Sequence, residues 1–565
     1  MKSNRAGWRA VGAAFAMFAL WPAAGSPAAG SSSPVGHSEP AGAAPPVGTP
    51  AAPDAPVSRW STVLASDEAR AQPALRFRAL MHRAEAYQAA GRIDAALRDF
   101  HSALALAQES GDPFRFALAS GGLGNAYHLR GANALARTHL EASIAQARGA
   151  GRPDIEALGR IGIGNLLSGE GDEAGALAAY REGESLARQA RSDALIVQAA
   201  TNAARSALAL GDRELARSML SAADAHCHRM KPSTDKAYAL IAIARLARRA
   251  GAPARGNDAS RARDAVELLS EARELGRELP DRRVASFALG YLGELHENAG
   301  RHEEARRLTA EALFVAKELN AAELEYRWHW QLGRIARAQG DREGATGAFR
   351  SAVNALQSVQ LNVMSATGGD SGSFRVRVKP VFDDLVAALL ERARTADRPE
   401  SAQAVLVEAR DTVERLKSAE LQDYFRDDCV VAARAAVQPL EQVAPRTAVI
   451  YPVFFHDRIE LLLSSAQGIR QASSPVALET LSAEVDAFRD SLRDLAGRHF
   501  LPHARRLYDW LVRPLEEEIR AIDPDTLVFV PDGPLRTIPL AALHDGGDFL
   551  LRRYGFVTSP GLTLT

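Results

Sequence analysis

Between residues 71 and 361 small, bulky and polar positions recur in one frame, seven times over. Glycines Gly91, Gly131, Gly171, Gly211 and Gly251 stand 40 residues apart, and Gly300 and Gly340 continue the series after one step of 49. The nine extra residues fall on the polar stretch APARGNDAS that follows Gly251. Seven residues before each glycine is a small residue: Ala84, Gly124, Gly164, Ala204, Ala244, Gly293 and Gly333. Five after it is an alanine (Ala96, Ala136, Ala176, Ala216, Ala265, Ala305, Ala345), counting the insertion in the fifth repeat. Four further on a bulky residue recurs at Phe100, Leu140, Tyr180, Leu220, Leu269 and Phe349, with Thr309 the exception. The pattern predicts a helix–turn–helix unit. Small residues let the paired helices approach, the bulky one fills the gap to the next unit, and the glycine ends the first helix in a left-handed cap.

After Leu361 the frame stops. The stretch 362–380, rich in Gly and Ser early and ending in Pro380, reads as a linker. Helical periodicity resumes over 381–393 and again through SAQAVLVEARDTVERLKSAELQDYF, so 381–440 is expected to be a helical connector. Past Pro445 the character turns to strands. TAVIYPVFF and IELLLSSA, separated by His456-Asp457-Arg458, predict a hairpin. One amphipathic helix is expected over 502–522, then a buried strand at TLVFV ending in the turn Pro531-Asp532-Gly533. A strand apolar on both faces calls for parallel neighbours, and an open edge is expected beside it.

Composition adds a leader to this picture. Lys2, Arg5 and Arg9 precede the apolar run from Val11 to Trp21, and small residues follow it. Residues 1–25 therefore read as a signal peptide, with an uncleaved inner-membrane anchor as the alternative. The expected destination is the periplasm or the cell exterior. Residues 26–58, almost wholly Ala, Gly, Pro, Ser, Val and Thr, read as a tether without a core. The net charge is -1, and about -4 without the three leader cations, so no nucleic-acid partner is expected.

LGNAYHLRG in the second repeat, AEAYQAAGRIDAALRDFHSAL in the first and QLGRIARAQGDREGATGAFRSAV in the seventh carry a resemblance to the tetratricopeptide family. It implies a mainly α fold: a right-handed α-solenoid of about seven helix pairs over 60–361, each longer than the usual ~34 residues. It further implies a protein or peptide ligand in the concave groove lined by the first helix of each pair. Residues one past the small position would face that groove: Glu85, Asn125, Asn165, Arg205, Arg245, Glu294 and Arg334, with Trp330 close by. Asn165 and Asn202 occupy the asparagine places of a carboxylate-holding clamp, but the basic partners of such a clamp are missing.

A second resemblance follows from TAVIYPVFFHDRIELLL, LYDWLVRPLEEEI, LVFVPDGPLRTIPLAALHDG and FLLRRYGFVTSPGLT. This order is similar to the first part of a CHAT domain, a caspase-like α/β peptidase domain commonly fused to tetratricopeptide repeats, and implies an incomplete α/β domain over 445–565. That family works through a His–Cys dyad lying beyond Thr565, so a chain cut from a longer gene is expected. Cys227 sits between His226 and His228 on a repeat helix, where i and i+2 diverge, and Cys429 precedes the first strand. Neither is expected to act, and His456, His499, His503 and His544 have no thiol partner in sequence. No catalytic residue, metal site or cofactor is predicted. The leading expectation is a protein-interaction scaffold, inactive as a peptidase. The alternative is a cysteine peptidase in a longer form, with the repeats as sensor or substrate holder.

Overall fold

Twenty-residue spacing, half the period visible in the sequence, governs the first part of the structure. The computed structural model describes residues 55–251, 258–365, 378–425, 444–493 and 497–562. The chain divides into two units, one up to residue 340 plus 354–370, the other 341–353 plus 371–565.

In the first unit α1 (Ala55–Ala65) and α2 (Asp67–Ala71) precede a regular array. It runs α3 (Pro73–Ala89), α4 (Ile93–Ser110), α5 (Pro113–Leu129), α6 (Asn133–Gly149), α7 (Pro153–Gly169), α8 (Glu173–Gln189), α9 (Asp193–Ala209) and α10 (Arg213–Arg229). It continues through α11 (Thr234–Ala250), α12 (Asp258–Glu278), α13 (Arg283–Asn298), α14 (His302–Glu318) and α15 (Ala322–Ala338). The last helix of the series, α16 (Arg342–Ser365), is divided between the two units at residue 354. The odd-numbered helices from α3 are the first (A) helices of seven pairs, the even-numbered ones the second (B) helices. Two expected linkers are shorter than the sequence reading: residues 55–58 of the 26–58 tether lie in α1, and 362–365 and 379–380 of the 362–380 linker are helical. The leader at 1–25 and the residues 252–257 of the insertion lie outside the described residues.

The recurring glycines end their A helices with positive φ, although Gly251, with ψ 174°, lies outside the left-handed helical region. Gly91, Gly131, Gly171, Gly211, Gly251, Gly300 and Gly340 all have φ between 66° and 83°. At Gly91 the cap is a Schellman motif: the Gly91 N–H bonds Gln88 O at 3.1 Å and the Arg92 N–H bonds Tyr87 O at 2.8 Å. The B helices close the same way at Gly111 and Gly151, and at Arg191 with φ 52°. A proline opens α3, α5 and α7 at the first helical position, where a missing N–H costs nothing.

The small positions are close-approach points. A Cβ on Gly164 would stand 2.5 Å from the Tyr180 ring, and one on Gly124 2.6 Å from Leu140 Cγ. Tyr180 and Leu140 thus fill against their own A helices, a contact not read from the sequence. Phe100 fills the gap to the next unit as expected, a Cβ on Gly122 standing 2.6 Å from its ring. Leu140 does both, since a Cβ on Gly162 of the next A helix would also stand 2.6 Å from it. At the exception, Thr309 is buried and accepts a hydrogen bond from Gln331 Nε2 at 3.0 Å, so a polar pair replaces the missing volume. At the start of the array Trp60 of α1 stacks on His82 with centroids 4.7 Å apart, covering the first A helix as a terminal cap does in repeat arrays.

The second unit holds a five-stranded sheet in the order β3-β2-β1-β4-β5. Its strands are β1 (Thr447–Phe454), β2 (Ile459–Ser465), β3 (Gly468–Ser474), β4 (Thr526–Phe529) and β5 (Gly555–Thr558). β1 and β2 form the expected antiparallel hairpin, with Phe454 opposite Ile459. β3 (GIRQASS) is too polar to have been read as a strand, yet it completes a meander with β2. β4 has parallel neighbours on both sides, β1 and β5, so β5 takes the place where an open edge beside β4 was expected. The expected helix over 502–522 is two helices, α20 (Leu501–Leu511) and α21 (Glu516–Ile522), joined by a 3-10 turn carrying Pro514. Proline cannot donate the helical hydrogen bond, and the break follows.

One sheet face, with Ala448, Ile450, Leu461, Leu463, Leu527 and Phe529, packs with α19 (Leu478–Ser491), α20 and α21. The opposite face is met by α17 (Lys379–Arg394) and α18 (Pro399–Phe425). Arg394 of α17 reaches the fully buried Glu460 of β2 at 3.5 Å, and Arg410 of α18 reaches Ser464 at 3.5 Å. The helical connector is therefore a layer of the α/β unit over its described part, 381–425. Residues 426–440 lie outside the described residues.

Candidate functional site

Along the A helices the residue after each small position is half-buried, and several of these residues reach a neighbouring A helix. Asn125 Oδ1 lies 3.3 Å from where a Cβ on Gly162 would stand. Asn165 Oδ1 accepts from Tyr180 Oη at 2.8 Å and from Asn202 Nδ2 at 3.2 Å, and Asn202 accepts from Arg205. The two asparagines noted for a clamp are thus bonded to each other across two repeats, with Asn202 fully buried. Arg245 lies 4.4 Å over the Tyr291 ring, and Glu294 pairs with Arg248 at 2.5 Å. Arg334 makes two bonds to Glu297, at 2.8 and 2.9 Å, and covers Trp330 at 4.6 Å. Glu85, like Arg205, has a partner on its own helix: its Oε2 is 3.0 Å from His82 Nδ1. The eight residues therefore form one polar and aromatic stripe along the A helices, much of it knitted between successive repeats.

In the second unit the chemistry gathers at the C-terminal end of β4. Open α/β sheets with parallel strands place ligand groups outside this edge. Here Asp532 is buried and stands 2.7 Å from Lys417 of α18, 3.8 Å from Lys379 of α17 and 3.3 Å from Arg536. Lys379 also bonds Asp383 at 2.8 Å, and Arg536 bonds Glu420 at 2.5 Å. Burial alone would raise the Asp532 pKa, but Lys417 and Lys379 outweigh it and hold the carboxyl well below the usual carboxylate range. Burial pushes Asp383 the other way, up to about 6, against the pull of Lys379. Asp532 is more than the turn former expected of Pro-Asp-Gly: it is the anion about which this cluster is built.

Glu414 of α18 accepts the Leu562 N–H at 3.0 and 3.1 Å, beyond β5. Gln403 pairs both with the N–H of Ile469, at 2.9 Å, and with its carbonyl, at 2.8 Å, on β3. Sequence reading missed all of these partners. A signal was present: Lys417 and Glu420 interrupt the stripe Leu406, Ala409, Val413, Leu416 of α18 at helical spacing.

Thiol chemistry finds no place among the described residues. Cys227 is buried, donates weakly to Lys236 O at 3.8 Å, and burial pushes its pKa up to about 12. Its neighbours diverge, His226 to Asp193 at 2.6 Å and His228 to Asp224 at 2.9 Å. Cys429 lies outside the described residues. His503 pairs with Glu484 at 2.7 Å, and His544 Nδ1 accepts the Gly546 N–H at 2.9 Å. Among the described residues no group of three or more His, Cys, Asp or Glu side chains could hold a metal ion.

The paired helices, their glycine caps and the small-on-bulky contacts define a solenoid of the tetratricopeptide type, followed by a small α/β sheet unit. The family described as CHAT domain matches residues 501–565, from α20 to the last residue. No curated protein matches the chain in sequence. Among solved structures it is similar to BtubC (BKLC) from P. vanneervenii at 15% identity and a TM-score of 0.32, over 46% of this chain and 92% of that one. The apo form of RapI is similar at 10% identity and a TM-score of 0.37, over 50% and 99%. The apo form of the quorum sensor NprR from B. thuringiensis is similar at 14% and 0.33, over 61% and 98%.

Proposed function

We propose that this chain is a protein-interaction scaffold whose A helices hold an extended or helical segment of a partner protein, joined to a CHAT-type domain. The stripe from Glu85 to Arg334 carries this reading. Along it, polar and aromatic groups of successive A helices stand half-buried in register, which presents repeated contact points to a segment lying across the repeats. In this reading residues 1–25 export the chain, so the partner is met in the periplasm or outside the cell. Among the described residues no helix is long and apolar enough to cross a membrane. The described residues offer no activated thiol, so the peptidase alternative draws no support from Cys227.

Site-specific photo-crosslinking tests the reading. A benzophenone amino acid placed at Asn125 or Asn165 should trap a partner, whereas one at the exposed B-helix positions Glu141 or Arg181 should not. Equal trapping from both faces would sink it. Fractionation tests the export part: a cytoplasmic chain that still begins at Met1 would remove it.

A further inference from the structure

On the A helices of repeats six and seven, two buried hydrogen-bond donors have no acceptor. Tyr291 of α13 is 6% exposed, and its hydroxyl is buried without a hydrogen-bond partner. Arg327, on the next A helix, α15, has its Nε buried without a partner as well. More than nine in ten buried polar atoms are bonded, so two orphan donors on adjacent helices call for an explanation. The same place has a surplus of positive charge. Arg245 of α11 lies over the Tyr291 ring and makes no ion pair among the described residues.

The acids nearby are already engaged. Glu294 pairs with Arg248, Glu297 with Arg334, and Glu323 with Arg283 at 3.1 Å. Asp281 accepts the Tyr238 hydroxyl at 3.0 Å. The walls are aromatic: Trp328 meets Tyr291 edge-on at 5.8 Å and Phe287 at 6.2 Å. An aromatic-walled spot with donors in excess and no acceptor left over is the complement of a carboxylate.

We infer that the partner segment carries a carboxylate, which is bound between α11, α13 and α15 by the Arg245 guanidinium, the Tyr291 hydroxyl and Arg327 Nε. This rests on the scaffold reading above and names the chemistry of its partner. Arg245 acts as the movable part. Its long side chain now covers the Tyr291 ring, and a rotamer change, common at interfaces, turns it towards the anion and opens the hydroxyl to it. The carboxylate comes either from an Asp or Glu side chain or from a peptide C-terminus.

The test pans a random dodecamer phage library on the full chain, then measures the selected peptides by fluorescence anisotropy. Selected sequences should be enriched in Asp or Glu, or should bind only with a free C-terminus. Changing those residues to Asn or Gln, or amidating the terminus, identifies the source and should weaken binding about tenfold, as loss of a hydrogen-bonded charge does. Arg245→Gln and Tyr291→Phe should each weaken the acidic peptide several-fold and leave its Asn or Gln version unchanged, with unaltered circular dichroism. Full affinity in Tyr291→Phe, or peptides selected without any carboxylate preference, overturns the inference. If peptides cross-link from Asn125 or Asn165 yet show no such preference, the scaffold reading stands and this inference alone falls. If no peptide is selected at all, both fall.

Discussion

The two units reach a buried core by opposite routes. In the solenoid each bulky residue meets a small residue of its own or the next helix, as Tyr180 meets Gly164 and Leu140 meets Gly124 and Gly162. In the α/β unit the deciding contacts join distant segments: Gln403 holds Ile469 across 66 residues, and Glu414 holds Leu562 across 148. The first kind of contact repeats and writes itself into the sequence as a period. The second occurs once and leaves only a misplaced charge, such as Lys417 within an apolar helix face. A repeat array also spreads its stability over many similar interfaces, whereas the sheet unit concentrates it at a few.

The sharpest test removes one of those few. Lys417→Met leaves Asp532 buried with Lys379 and Arg536 as its remaining cations, and should cost the α/β unit about 3–5 kcal/mol. Pulse proteolysis in urea should show that unit released first while most of the helical circular dichroism persists. A single joint transition would break the comparison. Lys417→Met with Asp532→Asn should recover part of the loss.

Gly164→Leu probes the other route. Its side chain must displace the buried Tyr180 ring, and overpacking of this kind costs about 1–3 kcal/mol. The loss should appear in solenoid melts and leave the α/β transition alone. An unchanged melting midpoint would sink the assigned register.

Asp383 supplies a pH dependence to the second unit. Its folded pKa is raised by burial to about 6, so between the ordinary aspartate value and 6 the folded state binds the proton more tightly. That contribution is fully present below the unfolded pKa and is lost as pH rises through 6, on the order of 3 kcal/mol. Asp383→Asn should flatten this part of the stability curve. Asp532 has the opposite sign, its contribution present at neutral pH and lost only in acid. A slope between pH 4 and 6 unaltered by Asp383→Asn would assign the effect elsewhere.

The smallest effect sharpens the repeat itself. Arg191 occupies, with φ 52°, the position held by Gly111 and Gly151 in the earlier B-helix caps. Arg191→Gly should stabilise the solenoid by roughly 1 kcal/mol, and Gly111→Ala should destabilise it by about as much, because a Cβ is disfavoured in the left-handed region. Differential scanning calorimetry of the two variants would show midpoints moving in opposite directions.

The sequence alone determined the helix pairs, their number, the positions of the A-helix caps and the residues that meet at the helix crossings. Those features depend on neighbours within about 40 residues, and seven copies of one solution make the requirement visible. It also marked the β1–β2 hairpin and β4, since both are apolar runs bounded by turn residues. It hid the twenty-residue half-period, because Arg191 breaks the glycine series in the B-helix caps while adopting the same backbone. Of the eight stripe residues, position followed from the repeat frame, but their partners did not. Arg245 over Tyr291 and Arg334 on Glu297 join different repeats at places where the frame varies. Tertiary structure alone decided that β3, a polar strand, has a place in the sheet, and that α17 and α18 are a layer of it. No local preference makes GIRQASS a strand: pairing with β2 and the two bonds from Gln403 do so. The same holds for Asp532, whose turn position is written in Pro-Asp-Gly, while its charge is held by Lys417 and Lys379, residues that only the packed helices bring to it.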